Sequence, residues 1–198
     1  MVQWKPVRSI SFDTSFLLKE SRMIDSSIKL LEHDRVPCFV TSTVTSELEQ
    51  LKIWGRITTS DYHDAMRRLK NSHSTIIDFK NRLVADAIGK SCVLSMEKHM
   101  GVKSSDIVND CTILVSILKN GVDLFLSEDF HFTSEITKEV LSEVTNAACT
   151  EFHQMCDEHL FCIDSRTFME AYQHGQIDLD VVQSRILPIR KSGKRLGE

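Results

Sequence analysis

The feature that most constrains the fold is an alternation of short apolar runs with longer segments of helical period. The short runs are typical of buried strands, and they cover residues 8–13, 36–40, 124–126 and 160–163. The longer segments predict helices over 14–33 (broken near Arg22), from Thr41–Ser42 to Leu51, and over 59–71, 75–100, 105–121, 133–158 and 165–174. Strands separated by helices require parallel crossovers, so we predict an α/β fold: a three-layer α/β/α sandwich with a mostly parallel central sheet.

The length favours a single domain. The chain has 198 residues, which suits one core, and its 7 glycines and 3 prolines leave little material for linkers. We predict a domain over residues 1–175 and a basic C-terminal tail over 176–198. The last part of that tail, residues 185–198, carries five basic residues and one acid.

The sequence predicts a cytoplasmic protein. Its first residues lack the basic and apolar segments of a signal peptide, and no apolar run approaches the roughly 20 residues that cross a membrane. The cysteines lie inside apolar periodic segments, which predicts reduced core thiols. They are Cys38, Cys92, Cys111, Cys149, Cys156 and Cys162.

The net charge of −4 argues against a strong sequence-independent DNA binder, which needs a basic excess. It leaves a metal-dependent nuclease open, because an acidic metal site subtracts from the total charge. Basic positions that could contact RNA phosphates are Arg67, Arg68, Lys191, Lys194 and Arg195, although a solvated surface explains them as well.

Four carboxylates stand near the ends of predicted strands. Asp13 ends the first strand and Asp129 follows the third. Glu47 lies early in the helix after the second strand, and Asp110 lies in the helix before the third, with Asp106 one turn earlier on the same face. Strand ends share one edge of a parallel sheet, so these acids are expected to converge. Taken singly, each is also typical of a surface charge or a helix cap.

Converging carboxylates repel each other unless cations neutralise them. Oxygen donors without cysteine favour Mg²⁺ or Mn²⁺, and such an ion polarises a phosphodiester and activates a water molecule.

The residues at these positions resemble the pattern of the PIN-domain nucleases, within them the single-domain VapC-like toxins and archaeal relatives. The matching elements are Asp13-Thr14-Ser15, Ser42-x4-Glu47, Asn109-Asp110 and Ser127-Glu128-Asp129-Phe130. The resemblance covers about residues 8–170.

The resemblance implies a metal-dependent endoribonuclease that leaves a 3′-hydroxyl and a 5′-phosphate. Asp13, Glu47, Asp110 and Asp129 would be the catalytic metal ligands, with Glu47 also a candidate base. Supporting roles would belong to Ser15, Asn109, Ser127 and Asp106. The implied partners are RNA, an antitoxin protein and a second copy of the chain, with no membrane. His131 departs from the pattern, because an acid often stands there, and this departure is expected to weaken a second metal position.

Other interpretations stay open. The fold could serve as a non-catalytic module that binds RNA or protein. Cys149, His153, Cys156 and His159 have spacings that could bind zinc, although an apolar stripe at the same positions favours core packing. A dehalogenase-type phosphatase needs a second aspartate where Ser15 stands, and a receiver domain needs a lysine that is missing after LFCIDS.

Overall fold

The computed structural model describes residues 2–156 and 159–186. The strands are β1 (Trp4–Pro6), β2 (Ile10–Phe12), β3 (Cys38–Thr41), β4 (Thr75–Ile77), β5 (Leu124–Leu126), β6 (Phe161–Ile163), β7 (Tyr172–Gln173) and β8 (Gln176–Asp178). The helices are α1 (Thr14–Leu18), α2 (Arg22–Asp34), α3 (Ser42–Ile53), α4 (Thr59–Asn71), α5 (Arg82–Met100), α6 (Ser104–Lys119), α7 (Phe130–Thr133), α8 (Glu135–Phe152), α9 (Ser165–Ala171) and α10 (Leu179–Arg185).

The central sheet has five parallel strands in the order β4-β3-β2-β5-β6. Helices α1, α2, α4 and α9 contact one another on one side, and α5 contacts α6 and α8 on the other. The predicted three-layer α/β/α sandwich is therefore confirmed. Strand β2 lies at the centre, and its residues Ile10, Ser11 and Phe12 are fully buried.

The strand order reverses between β2 and β5. Strand β3 lies next to β2 towards one end of the strand order, and β6 lies next to β5 towards the other end. The connections after these two strands diverge, which leaves a crevice beyond their carboxyl ends. The parallel register pairs Phe12 with Leu126, so the residues that follow both strands reach this crevice at the same level.

A second sheet of three antiparallel strands, in the order β1-β8-β7, was not predicted. It lies at the opposite, amino-terminal edge of the parallel sheet, because Arg8 N donates to Asp123 Oδ2 (2.9 Å) just before β5 begins. Ile177 and Val182 are buried in the core. Residues 176–185, which the sequence placed in the tail, thus form β8 and α10, and the folded part extends past residue 175.

Three predicted helices have clearly different boundaries. The segment 165–174 contains α9, which ends at Ala171, and Tyr172–Gln173 form β7. The segment 75–100 begins with β4, an edge strand of β-branched residues that pairs with β3, and α5 starts only at Arg82. The segment 133–158 contains α8, which ends at Phe152 because His153 takes a left-handed conformation with φ 52°. The separate helix α7 precedes it.

The prediction of six reduced thiols is wrong for two of them. Cys149 and Cys156 form a disulfide that joins the end of α8 to the loop behind it. Cys38, Cys92, Cys111 and Cys162 are free. The two bonded sulfurs are not available as zinc ligands, which removes the basis for a zinc site with His153 and His159.

Within the described ranges, we find no helix with the length and apolar character needed to cross a membrane.

Candidate metal centre

Asp13 occupies the floor of the crevice between β2 and β5. Its backbone N–H donates to Leu126 O (2.9 Å) and so extends the parallel ladder by one residue past Phe12. The residue is 4% exposed, and its side chain caps α1 by accepting a hydrogen bond from Ser15 N. The strand ladder and the helix cap therefore fix both the position and the direction of this carboxylate.

Two serine hydroxyls hold the Asp13 carboxylate. Ser127 Oγ donates to Asp13 Oδ2 over 2.8 Å, and Ser15 Oγ donates to the same oxygen. Burial raises the pKa of Asp13 and the charge of Glu47 adds to the increase, whereas both hydroxyls oppose it. A raised pKa means that protons compete more strongly with a cation for this buried carboxylate.

The serines also fix the loop that carries Asp129. Ser15 Oγ accepts from Glu128 N (2.9 Å), and Ser127 Oγ accepts from Asp129 N (3.0 Å). Each hydroxyl therefore donates to Asp13 and accepts from the backbone after β5. The positions of Asp13 and Asp129 are coupled through these two side chains.

Glu47 approaches the same crevice from α3. Thr41, the last residue of β3, caps this helix by accepting from Val44 N, which places Glu47 in its second turn. Thr14 Oγ1 donates to Glu47 Oε2 over 2.6 Å. Because Glu47 raises the pKa of Asp13 through its charge, the two carboxylates act on each other across the end of β2.

Asp110, Asp129 and His131 form the third part of the site. One ligand atom from each lies within 4.8 Å of the other two. His131 Nδ1 stands 3.4 Å from Asp110 Oδ2 and 3.6 Å from Asp129 Oδ1. The side chain of Asp110 is 19% exposed and that of Asp129 is 40% exposed, so this group opens towards solvent.

The electrostatics of Asp110 indicate how closely the acids converge. Burial raises the pKa of Asp110 to about 7, and the charges of Asp13 and Asp129 contribute to the increase, while His131 opposes it. Three aspartates therefore share one electrostatic environment, and Glu47 joins through Asp13.

The donor set suits a hard divalent cation. Carboxylate oxygens are the usual ligands of Mg²⁺ and Mn²⁺, and one imidazole shifts the balance towards Mn²⁺ and later transition metals. The hydrogen bonds from Ser15, Ser127 and Thr14 supply the outer contacts that orient ligating carboxylates.

Two predicted supporting residues are exposed on α6. Asp106 is exposed in the first turn of α6 and accepts a hydrogen bond from Ser105 Oγ (2.9 Å). Asn109 precedes Asp110 and is also exposed. Within the described ranges, Asp106 is not among the acidic, histidine and cysteine side chains whose ligand atoms lie close enough together to hold a metal ion.

The predicted RNA contacts divide into three cases. Arg67 is exposed and pairs with Asp64 over 2.8 Å. Arg68 is 6% exposed, and its guanidinium donates to Leu17 O (2.6 Å), so the prediction that it contacts RNA is wrong. This arginine ties α4 to the end of α1 because buried carbonyls there need a donor. Lys191, Lys194 and Arg195 lie outside the described residues.

Sequence reasoning missed the contribution of two residues. His131 is a departure from the sequence pattern, yet its imidazole faces both Asp110 and Asp129. Thr14 enters the sequence pattern without a role of its own, yet it holds Glu47. The signal that could have found them was position: each follows a strand-end aspartate by one or two residues, within reach of the same crevice.

No model of a known protein family matches this chain, and no curated protein matches its sequence.

Proposed function

We propose that the protein is a Mg²⁺- or Mn²⁺-dependent endoribonuclease of the PIN type. The observation that carries the proposal is the convergence of Asp13, Glu47, Asp110 and Asp129 at the crevice where the strand order reverses. Grouped acids raise each other's pKa and cost stability. A cation that neutralises the carboxylates during function would explain why these acids lie close together.

The contacts of each side chain suggest its role in the proposed reaction. Asp110, Asp129 and His131 would hold the cation, and Asp13, whose charge acts on Asp110, would be a further ligand that Ser15 and Ser127 keep in place. A divalent ion bound there supplies a Lewis acid for the phosphoryl oxygen and lowers the pKa of a water molecule. Glu47 is the candidate base: Thr14 fixes its Oε2, and Oε1 would take the proton of the attacking water.

The first experiment measures Mn²⁺ binding by calorimetry, which does not require a known RNA sequence. Wild-type protein should bind, and Asp110→Asn should bind much more weakly because a neutral amide loses the charge that attracts the ion. Asp106→Asn is the matched control, since it removes an exposed acid one turn earlier on the same helix. Equal binding by all three proteins would contradict the proposed site.

The second experiment tests cleavage of single-stranded RNA with Mn²⁺. We expect wild type to produce fragments with a 5′-phosphate, and Asp13→Asn to lose activity by a factor of at least about 10³. The non-catalytic module would be favoured by a different result: wild type binds RNA but does not cleave it, and Asp13→Asn remains folded and binds RNA with the same affinity. A homodimer and an antitoxin partner remain predictions from the family resemblance.

A further inference from the structure

An exposed aromatic and basic patch lies at the carboxyl end of α3. Trp54 is 63% exposed and its neighbour Ile53 is 77% exposed, although large apolar side chains are costly to leave in water. The guanidinium carbon of Arg56 lies over the Trp54 ring, 5.6 Å from its centroid. We call Trp54 and Arg56 the α3 platform.

The platform shares a helix face with Glu47. Trp54 follows Glu47 by seven residues, which is about 20° short of two full turns at roughly 100° per residue. Trp54 N donates to Gln50 O (2.9 Å), so the helical hydrogen-bonding continues to this residue. At about 1.5 Å per residue, the rise from Glu47 to Trp54 is about 10 Å. The indole therefore stands along the same side of α3 as the acidic site, two turns away.

A second cation lies near the platform in sequence. Lys52 precedes Trp54 by two residues and therefore lies on another face of α3, with its Nζ 4.5 Å from the ring centroid of Tyr62. Within residues 2–156 and 159–186, no carboxylate oxygen comes within 4 Å of the charged nitrogens of Arg56 or Lys52. Both cations are therefore free to pair with an anionic ligand.

The geometry points to the α3 platform as a stacking site for an unpaired base of the RNA strand whose phosphodiester lies at the acidic site. This inference rests on the proposed function and names how its substrate is held. The indole face would stack on the base, and Arg56 would pair with an adjacent phosphate. Stacking needs an unpaired base, so the substrate class is single-stranded RNA.

A protein partner fits the patch less well. Stable protein interfaces bury at least about 1,200 Å² in total, whereas one tryptophan contributes about 150–250 Å². The large apolar side chains exposed at this end of α3 are Ile53 and Trp54, which together form a small apolar area. An aromatic ring beside the single cation of Arg56 matches a nucleotide, which has an apolar base and one negative charge.

Fluorescence anisotropy with a labelled oligouridylate of about ten nucleotides tests the inference. The titration is run in EDTA and again in Ca²⁺, so that binding is measured apart from cleavage. We expect Trp54→Ala to weaken binding by about 5- to 100-fold, and Trp54→Phe to retain most of it because a ring remains. Trp4→Ala is the matched control, since Trp4 is 44% exposed on β1 at the opposite edge of the sheet.

An abasic oligonucleotide with the same backbone separates stacking from charge. Wild type and Trp54→Ala should bind it equally, and Arg56→Ala should weaken its binding. In a Trp4→Phe protein, where Trp54 is the sole tryptophan, the oligouridylate should quench the fluorescence and the abasic strand should not. Circular dichroism verifies that each variant is folded.

Several results would overturn the inference. They are an unchanged affinity in Trp54→Ala, an equal loss on the abasic strand, and no binding by wild type in either buffer. Self-association that Trp54→Ala abolishes, with RNA binding unchanged, would make the platform a protein contact instead. If Mn²⁺ binding and cleavage fail while Trp54→Ala loses RNA affinity, the proposed function fails and the platform stands. If wild type cleaves RNA and Trp54→Ala binds it with unchanged affinity, the platform fails and the proposed function stands.

Discussion

The hydroxyl of Ser127 donates to Asp13 Oδ2 over 2.8 Å, which joins the ends of β5 and β2 across 114 residues of sequence. The same hydroxyl accepts from Asp129 N, so one side chain connects a buried carboxylate to the loop that carries its neighbour. The acidic site is therefore held by the meeting of two adjacent parallel strands.

Replacing Ser127 by alanine tests this connection. Loss of a hydrogen bond to a buried carboxylate should lower the free energy of unfolding by about 1–3 kcal/mol. It should also weaken Mn²⁺ binding by about 10- to 100-fold, the usual effect of an outer contact to a metal ligand. Urea unfolding and calorimetry measure the two effects.

Ser11→Ala is the matched control for Ser127→Ala. Ser11 lies in β2 and is fully buried, and its Oγ has no hydrogen-bond partner among the described residues. Removing an unsatisfied hydroxyl should leave the free energy of unfolding unchanged or slightly increase it. Equal destabilisation by the two substitutions would contradict a specific role for Ser127.

The raised pKa of Asp110 predicts that Mn²⁺ binding depends on pH. Its pKa rises from 3.8 to about 7 in the fold, so below pH 7 a proton competes with the ion. Affinity should fall by at least about tenfold for each pH unit below that pKa, since ion binding releases the Asp110 proton. Calorimetry in buffers of different ionisation enthalpy counts that proton, and affinity that is constant between about pH 5 and 7 would contradict the assignment.

The same shift predicts how the metal-free protein responds to pH. Between the unfolded pKa of 3.8 and the folded value of about 7, the native state holds a proton that the unfolded state has lost. The stabilisation is fully present below pH 3.8 and is lost as the pH rises through 7. Asp110→Asn should flatten this part of the stability profile, measured by urea unfolding in EDTA.

The two neighbouring arginines of α4 should behave differently. Arg68→Met leaves the carbonyls of Leu17 and Lys19 without their donor and Asp25 without its partner, so it should cost about 2–4 kcal/mol of stability. Arg67→Met removes an exposed pair with Asp64 and should change stability by less than about 0.5 kcal/mol. Urea unfolding compares them, and a similar small effect of both would refute the structural role of Arg68.

His131 should set the preference between cations. Imidazole binds Mn²⁺ better than Mg²⁺, so His131→Ala should reduce Mn²⁺ affinity by at least about tenfold and Mg²⁺ affinity by less. His131→Asp should restore binding and shift it towards Mg²⁺, because it adds an oxygen donor at the same place. Parallel titrations with the two ions decide: equal losses for both would contradict the preference, and unchanged affinities would show that His131 is not a ligand.

Much of the fold can be predicted from the sequence because the residues that define many helices and strands are close together along the chain. The strand at Leu124–Leu126 and the helix at Thr59–Asn71 have the boundaries that were predicted. Thr58 and Asp61 begin that helix with a reciprocal pair of hydrogen bonds between residues three apart. Such information lies within one or two turns of the chain.

Strands and bonds that depend on a residue far away in the sequence could not be predicted. Strand β4 spans three residues and exists because β3 offers it an edge. Strands β7 and β8 are equally short or shorter; β7 pairs with β8, and β8 pairs with β1 from the other end of the chain. Cys149 and Cys156 are bonded because His153 ends α8 and returns the chain towards the helix.

The sequence by itself determined the order of strands β2, β3, β5 and β6 and the helical character of the segments between them, and it placed an acid after three of these strands. The tertiary structure alone decided that His131 faces Asp110, that Thr14 holds Glu47 and that Arg68 is buried. The physical reason is the distance along the chain over which each interaction acts. Hydrophobic period and capping act over a few residues, whereas these contacts join residues separated in sequence, and they exist only after the crossovers have brought the strand ends together.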